Sequence, residues 1–333
     1  MNILITGAAG YIGSHIALNL IEQNKKIFLI DNLENSSINN INVLRKLYKK
    51  KINFTKLDVR DEKKLSIYLK RNKITDIIHL AGLKSVEESE IYPEKYYENN
   101  IQSLTNVLKL CEEKNISNIV FSSSCTVYGN PEFIPVTEST PIGKAQSPYA
   151  KTKIFSEDIL KDFYKTSSKS ICNLRYFNPI GAHESGLLGD YPNGKPNNLL
   201  PFVTQVAAGI REKLSVFGDD YDTADGSCIR DYIHVVDLAK AHVNAIDFNR
   251  NNNHSYSVFN IGTGVGITVL ELLKTFEKIN NTKVNFEITQ RREGDVGAIY
   301  ANCAHAEKNL NWKAELNLED MLSSAWKFQK NHF

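Results

Sequence analysis

Tyr149 and Lys153 stand four residues apart, directly after Ser147-Pro148. If a helix starts at that proline, both side chains fall on one face, one turn apart. An ammonium beside a phenol favours the phenolate and lowers its pKa from about 10 towards neutrality. A phenolate at working pH is a general base for a hydroxyl proton. A solvated helix face with a lysine-rich edge carries the same spacing, so the choice between the two readings rests on the rest of the chain.

Two further clusters sit upstream. Ser122-Ser123-Ser124-Cys125-Thr126-Val127-Tyr128-Gly129 follows an apolar run. Serines at the end of a buried strand place hydroxyls at a cleft edge, where Ser124 can donate to a substrate oxygen or pass a proton to Tyr149. No G-x-S-x-G elbow with partnering His and Asp is present, which excludes serine nucleophilic catalysis. Gly7-Ala8-Ala9-Gly10-Tyr11-Ile12-Gly13 follows the apolar run Asn2–Thr6. Glycines at positions 7, 10 and 13 let the backbone approach a pyrophosphate, which a helix N-terminus then stabilises. Asp31 closes the next strand, where a carboxylate accepts from adenosine ribose hydroxyls and repels a 2′-phosphate. That selects NAD over NADP.

Positioning these groups requires alternating elements. Strands are expected over Asn2–Thr6, Lys26–Ile30, Ile52–Leu57, Asp76–Leu80, Asn118–Ser123 and Ser170–Tyr176. Helices are expected over Ser14–Gln23, Glu62–Arg71 and Pro93–Glu113. This alternation predicts an α/β fold built on a doubly wound parallel Rossmann sheet. Each polar cluster falls at a strand's carboxyl end: Gly7–Gly13, Asp31-Asn32, Asp58, Ala81–Lys84 and Ser122–Ser124. Ligands bind at those ends in such sheets. Lys84 is placed to meet a cofactor phosphate or ribose. Asn99-Asn100 in the long helix face the same cleft or cap the surface, and His79, inside an apolar run, reads as a core histidine.

The 333 residues are 42% hydrophobic and 23% charged, with a formal net charge of +2. No basic run is long enough to look like a nucleic-acid footprint. Lys49-Lys50-Lys51 reads as a solvated edge. Five scattered cysteines (111, 125, 172, 228 and 303) form no C-x-x-C pair, so no disulfide framework and no metal site is expected. The apolar run at Met1–Ile5 is too short for a signal peptide or a membrane span. A soluble, cytoplasmic protein without membrane contact is the expectation.

After Tyr176 the pattern loosens. Residues 183–198 are rich in Gly, Pro and Asn and read as a loop. A helix over Leu199–Ile210, a strand over Ser215–Gly218, a helix over Val235–Phe248, a strand over Val258–Ile261 and a helix over Thr268–Ile279 follow. Gly262, Gly264 and Gly266 read as a turn, not a second nucleotide site. This half carries Arg230, Arg291 and Arg292, suited to bidentate recognition of a diphosphate.

The glycine turn, Asp31, the serine run and the Tyr149–Lys153 pair occur in order within the first 153 residues. Together they resemble the extended short-chain dehydrogenase/reductase family, whose members act on nucleotide sugars. Ala81–Lys84, Arg175–Ala182 and Arg291–Asp295 are similar to the UDP-glucose 4-epimerases within it, nearly end to end. The resemblance implies reversible C4 epimerisation of UDP-galactose and UDP-glucose through a 4-keto intermediate with tightly bound NAD, in galactose metabolism. It implies Tyr149, Lys153 and Ser124 as catalytic residues. Cofactor contacts are implied for Gly7, Gly10, Tyr11, Ile12, Gly13, Asp31, Asn32, Asp58, Val59, Leu80, Ala81, Gly82, Lys84, Asn99, Ser122 and Phe177, besides Tyr149 and Lys153. Substrate contacts are implied for Lys84, Ser124, Tyr149, Asn178, Asn198, Leu199, Arg230 and Arg292 (the diphosphate), Asp295 (the uridine ribose) and Ile299. Many bacterial members carry a tyrosine where this chain has Ile299, which leaves the fit of an N-acetylated sugar to the size of that side chain. A dehydratase of the same fold would carry an Asp-Glu pair where this chain has Cys125-Thr126. The resemblance further implies a homodimer through Pro93–Glu113 and Pro148–Lys165. Its domain division is 1–177 for NAD, with 228–262 packing back onto it, and 178–227 with 263–333 as a smaller C-terminal α/β unit for the UDP-sugar.

Overall fold

The computed structural model describes residues 1–49, 52–191, 194, 196–292 and 294–332. Lys50 and Lys51 of the expected lysine edge, three positions of the 183–198 loop and Glu293 lie outside the described residues. The strands are β1 (Ile3–Thr6), β2 (Ile27–Asp31), β3 (Phe54–Lys56), β4 (Asp76–His79), β5 (Asn118–Ser124), β6 (Ser170–Tyr176), β7 (Asn178–Ile180), β8 (Leu214–Phe217), β9 (Ile229–His234), β10 (Tyr256–Ile261), β11 (Gly266–Thr268), β12 (Phe286–Thr289) and β13 (Ala298–Ile299). The helices are α1 (Tyr11–Glu22), α2 (Ile38–Tyr48), α3 (Glu62–Asn72), α4 (Val86–Ile91), α5 (Pro93–Glu113), α6 (Pro148–Thr166), α7 (Leu199–Ala207), α8 (Val235–Asn251), α9 (Val269–Asn280), α10 (Ala304–Leu310) and α11 (Leu318–His332).

Seven parallel strands make the main sheet, in the order β10-β6-β5-β4-β1-β2-β3. Strand alternation divides the apolar residues between its two faces. Ile3 and Ile5 join the core under α1 and α8, whereas Leu4 joins the opposite core with Leu104, Leu108 and Leu160. Both faces are therefore dry, as a parallel sheet requires. The chain leaves β1 towards β2 and later returns to its other side as β4, so the switch point lies between the ends of β1 and β4. The Thr6 hydroxyl spans it, accepting the backbone N–H groups of Leu80 and Ala81 at 3.1 Å each.

The remaining strands pair separately. β9 is flanked by β11, β13 and β7, and β12 pairs with β8. Their core gathers Ile180, Val203, Leu214, Phe276 and Leu322. Segment 228–262 is divided between the two bodies: β10 extends the main sheet and α8 packs on α1, while β9 centres the small sheet. The helix α2 had no counterpart in the sequence reading. Its Asn-rich start is a poor helix former, but the Ser37 hydroxyl accepts the Asn39 N–H, and Ile41 and Leu44 bury against the main core.

Candidate functional site

The helix α6 begins where the proline suggested. Ser147 caps it, accepting the Ala150 N–H at 3.1 Å, and Pro148 fills the first helical position, where no N–H is needed. Tyr149 and Lys153 consequently face the carboxyl ends of β5 and β6. Lys153 Nζ donates to the Ser122 carbonyl at 2.6 Å and lies 4.9 Å over the Phe121 ring and 5.8 Å from that of Tyr149. Ser124 Oγ accepts from Thr126 N–H (3.2 Å) and from the Thr126 hydroxyl (3.0 Å). The Ser124 proton is then left for Tyr149 or for a ligand. Thr126 was not among the candidates, since its role depends on the turn at Cys125–Tyr128.

The electrostatics differ from the expectation. Burial pushes the Tyr149 phenol up to about 12, and the Ser124 hydrogen bond offsets this only in part. Lys153 is not what sets that value. Burial also lowers Lys153 to about 8, while Glu157 one turn on acts in the opposite direction. The chain's own groups therefore do not bring the phenol near neutrality, because desolvation of a buried phenolate outweighs the lysine one turn away.

A stability consequence follows for Lys153. Its folded pKa of about 8 lies below the unfolded value of about 10.4. At neutral pH the folded state must hold a buried charge that the unfolded chain solvates. This cost fades as pH rises from about 8 to about 10.4. Lys153→Met should therefore be the more stable form near pH 7, with an advantage that narrows by about pH 10. Urea denaturation at both pH values checks it, and an advantage growing with pH would contradict it.

A cleft of about 380 Å3 runs along the sheet's carboxyl edge, within the range of small-molecule sites. It is lined by Gly7, Gly10–Gly13, Asp31, Asn32, Asp58, Val59, Leu80–Gly82, Lys84, Asn99, Ser122, Ser124, Tyr149, Lys153, Phe177, Asn178 and Asn198. The glycine loop is tight. A Cβ on Gly13 would meet the Gly7 carbonyl oxygen at 2.3 Å, and Gly7 has φ +69°. Gly10 caps α1 with no side-chain bond and no acidic residue stands in the first turn, so the helix end can receive an anion. Asp31 accepts from Ala9 N–H (3.0 Å), Leu33 N–H (2.8 Å) and the Ser36 hydroxyl (2.7 Å), which aim its carboxylate along the loop. Asp58 is held at about 2, chiefly by its hydrogen bonds from Arg60. Asn178 Oδ1 is buried, lines the cleft and has no partner. Asn99 faces the cleft, whereas Asn100 is structural: it accepts from Leu83 N–H and donates to Leu83 carbonyl and Thr152. His79 is a buried core residue hydrogen-bonded to Thr6.

Five candidates, Leu199, Arg230, Arg292, Asp295 and Ile299, lie off this cleft. Arg230 Nη2 and Arg292 Nη2 converge on Asp295 Oδ1, at 3.6 and 2.8 Å, so two cations already gather round one carboxylate. Arg230 also donates to the Val296 carbonyl at 2.7 Å, and its charge reaches Cys125 in the cleft wall. Leu199 starts α7 and packs on the small core. Ile299 is 4% exposed and packs with Cys125 and Phe177, one layer behind the cleft surface. Phe217 also escaped the sequence analysis: it ends β8, is 41% exposed, and has the Arg292 guanidinium 5.5 Å over its ring. Its signal was an aromatic at a strand end just before Gly218, whose φ is +84°.

The sheet order, the glycine turn and the strand-end acids define a doubly wound α/β protein with a dinucleotide-type cleft. The family model described as GDP-mannose 4,6 dehydratase matches residues 4–325. The UDP-glucose 4-epimerase of Yersinia enterocolitica is 48% identical over 331 residues, covering 99% of this chain and 98% of that protein. The crystal structure of UDP-glucose 4-epimerase from Bifidobacterium longum in complex with NAD+ and UDP superposes with a TM-score of 0.96 at 44% identity, covering 100% and 99% of the two chains. That from Stenotrophomonas maltophila, with bound NAD and formylated UDP-arabinopyranose, also reaches 0.96 at 41% identity, covering 99% and 98%. The chain belongs to the UDP-glucose 4-epimerase family.

Proposed function

We propose that this protein interconverts UDP-galactose and UDP-glucose by reversible inversion at C4, with resident NAD, in galactose metabolism. The observation that carries this reading is the convergence of Ser124, Tyr149 and Lys153 on one end of the cleft that begins at the glycine loop. Gly7–Gly13 and the α1 N-terminus suit the pyrophosphate of the cofactor and Asp31 its adenosine ribose. Lys153, Asn99 and Phe177 line the same cleft. When bound, NAD would supply a hydride acceptor and donor for C4, and its positive charge would favour an ionised Tyr149.

Tyr149 takes the proton of the 4-hydroxyl and gives it back. Ser124, its proton free of Thr126, hydrogen-bonds the 4-oxygen and relays that proton. Lys153 holds the nicotinamide ribose. Arg230 and Arg292 bind the diphosphate, Asp295 the uridine ribose, and the Phe217 ring offers a stacking face to the uracil. The sugar turns about this anchor, so binding is tight at the nucleotide and loose at the hexose. Residues 1–177, with α8 and β10, act as the NAD unit, and the small-sheet body acts as the UDP-sugar unit. The working form is a homodimer through α5 and α6, a reading supported by the exposed Phe155 on α6. A reducing cytoplasm fits the five free cysteines. Among the described residues no helix is long and apolar enough to cross a membrane.

Incubation with UDP-galactose without added NAD, followed by proton NMR, tests the reaction. UDP-glucose should form, and its absence in a protein that carries NAD would refute the reading. Ile299 is smaller than the tyrosine of many relatives, yet it sits behind Cys125 and Phe177 rather than open to the cleft. UDP-N-acetylglucosamine should therefore turn over weakly or moderately. A specificity constant equal to that for UDP-glucose would show that this wall does not select.

A further inference from the structure

Arg175 and Glu157 form the most deeply buried ion pair among the described residues, with side chains 6% and 8% exposed. Neither lines the cleft. Arg175 closes on the carboxylate with two hydrogen bonds, Nη2 to Oε2 at 2.7 Å and Nε to Oε1 at 3.0 Å. The Ser123 hydroxyl donates to the same Oε1. Ser123 in β5 and Arg175 in β6 are direct partners in the sheet register, so their side chains stand on one face. One carboxylate of α6 is thus held by two adjacent strands at the same level. Arg175 Nη1 donates to the Tyr128 hydroxyl at 2.9 Å, and that hydroxyl donates to Asn260 Oδ1 at 2.6 Å. The guanidinium is therefore fixed in its turn by the segment after β5 and by β10.

Glu157 lies one helical turn beyond Lys153, and Ser123 lies between Ser122 and Ser124. Helix α6 and strand β5 are consequently joined twice within that turn: Lys153 Nζ donates to the Ser122 carbonyl at 2.6 Å, and the Ser123 hydroxyl donates to Glu157. The first bond is made by the tip of a flexible stem, which follows the helix rather than placing it. The second belongs to a set of three bonds from two strands to one buried carboxylate, which fixes the height and rotation of the helix over the sheet. We infer that Glu157 and Arg175 are positioning residues: they set α6 against the carboxyl ends of β5 and β6, and so set where Tyr149 and Lys153 stand relative to Ser124. The inference rests on the roles given to those three residues above. Stability alone is a weak account of the pair, since desolvation offsets much of the attraction between buried charges, and apolar residues of like volume often replace such a pair without loss. An apolar pair lacks direction. It packs at several helix heights, whereas the guanidinium fork and the hydroxyl fit one.

The experiment replaces the pair as a unit. Glu157→Met combined with Arg175→Met keeps buried bulk and leaves no unpaired charge, so the double variant should melt near the wild type and retain its NAD. Its kcat should fall on the order of tenfold to a hundredfold, as displacement of a catalytic group by about 1 Å does. KM for UDP-galactose should stay unchanged, because Arg230, Arg292 and Asp295 lie outside α6, β5 and β6. Ser123→Ala cuts only the link to β5 and should lower kcat severalfold, whereas Ser123→Thr keeps the hydroxyl and should restore it. Arg175→Lys keeps the charge, loses the fork and should also lower kcat at unchanged KM. These single variants carry the test should the double variant fold poorly. Wild-type kcat in a folded double variant, or in both Ser123→Ala and Arg175→Lys, would overturn the inference. A fall in kcat matched by loss of NAD or a rise in KM would overturn it too, since that marks general loosening rather than displacement of α6. A failure of the epimerase reading would show instead in the wild type, as an absence of UDP-glucose.

Discussion

Tyr149→Phe should lower kcat by at least about a thousandfold, within the span of general acid–base catalysis, and leave KM for UDP-galactose nearly unchanged. The ring stays, so the packing at the start of α6 stays, and only the proton acceptor is lost. The purified variant should carry NAD in the same amount as the wild type, because no part of the glycine loop touches this hydroxyl. The size of the effect follows from the environment. Burial holds the phenol at about 12, and Ser124 is the group that lowers it. A bound cation must then do what the chain's own groups do not, so activity should depend on cofactor occupancy more steeply than on bulk pH near neutrality. Residual turnover within tenfold of wild type would remove Tyr149 from the chemistry and point to Ser124 acting with another base.

Gly13→Val should abolish cofactor retention, with turnover falling at least about a hundredfold even when NAD is added. A side chain there begins 2.3 Å from the Gly7 carbonyl oxygen and 2.9 Å from Ala8 Cα, and both obstacles are backbone. Gly7 cannot retreat. It sits at φ +69°, and the position of its own missing Cβ is 2.9 Å from Ala81 N, across the switch point. Gly10→Ala provides the contrast, since its nearest obstacle is the Gly7 oxygen at 3.2 Å. That variant should keep the fold and lose affinity only in part. The ratio of absorbance at 260 and 280 nm, with NAD released on denaturation, reads out both. Full NAD content in Gly13→Val would mean that the loop is not the phosphate cradle.

Much of the site was legible because its signals are local. The Gly7–Gly13 spacing, the acid at the end of β2 and the Pro148 start of α6 each follow from the geometry of one turn or one helix. The long helix Pro93–Glu113 and the strand Ser170–Tyr176 were readable to the residue, because a proline opens the first and apolar residues at 171, 172, 174 and 176 mark the second. The small sheet was not. Its strands β7, β11 and β13 have three, three and two residues, too few to show a period, and their partners lie far along the chain. Asn99 and Asn100 were indistinguishable in sequence, and only the approach of the Leu83 backbone separates a cleft residue from a structural one.

The sequence by itself determined which groups share a face or a strand end: Tyr149 with Lys153, Ser122 with Ser124, and the three glycines with the helix they open. Helix period and turn chemistry act over a few residues and need nothing from the rest of the chain. What only the tertiary structure decided is the state of those groups. Tyr149 is raised and Lys153 lowered because the fold withdraws both from water. Lys153 points at the Ser122 carbonyl because β5 runs beneath it. The Tyr176–His242 hydrogen bond exists because α8 returns to cover β6. Burial and hydrogen-bond direction depend on which distant segments meet, and they set the proton affinities on which the chemistry depends.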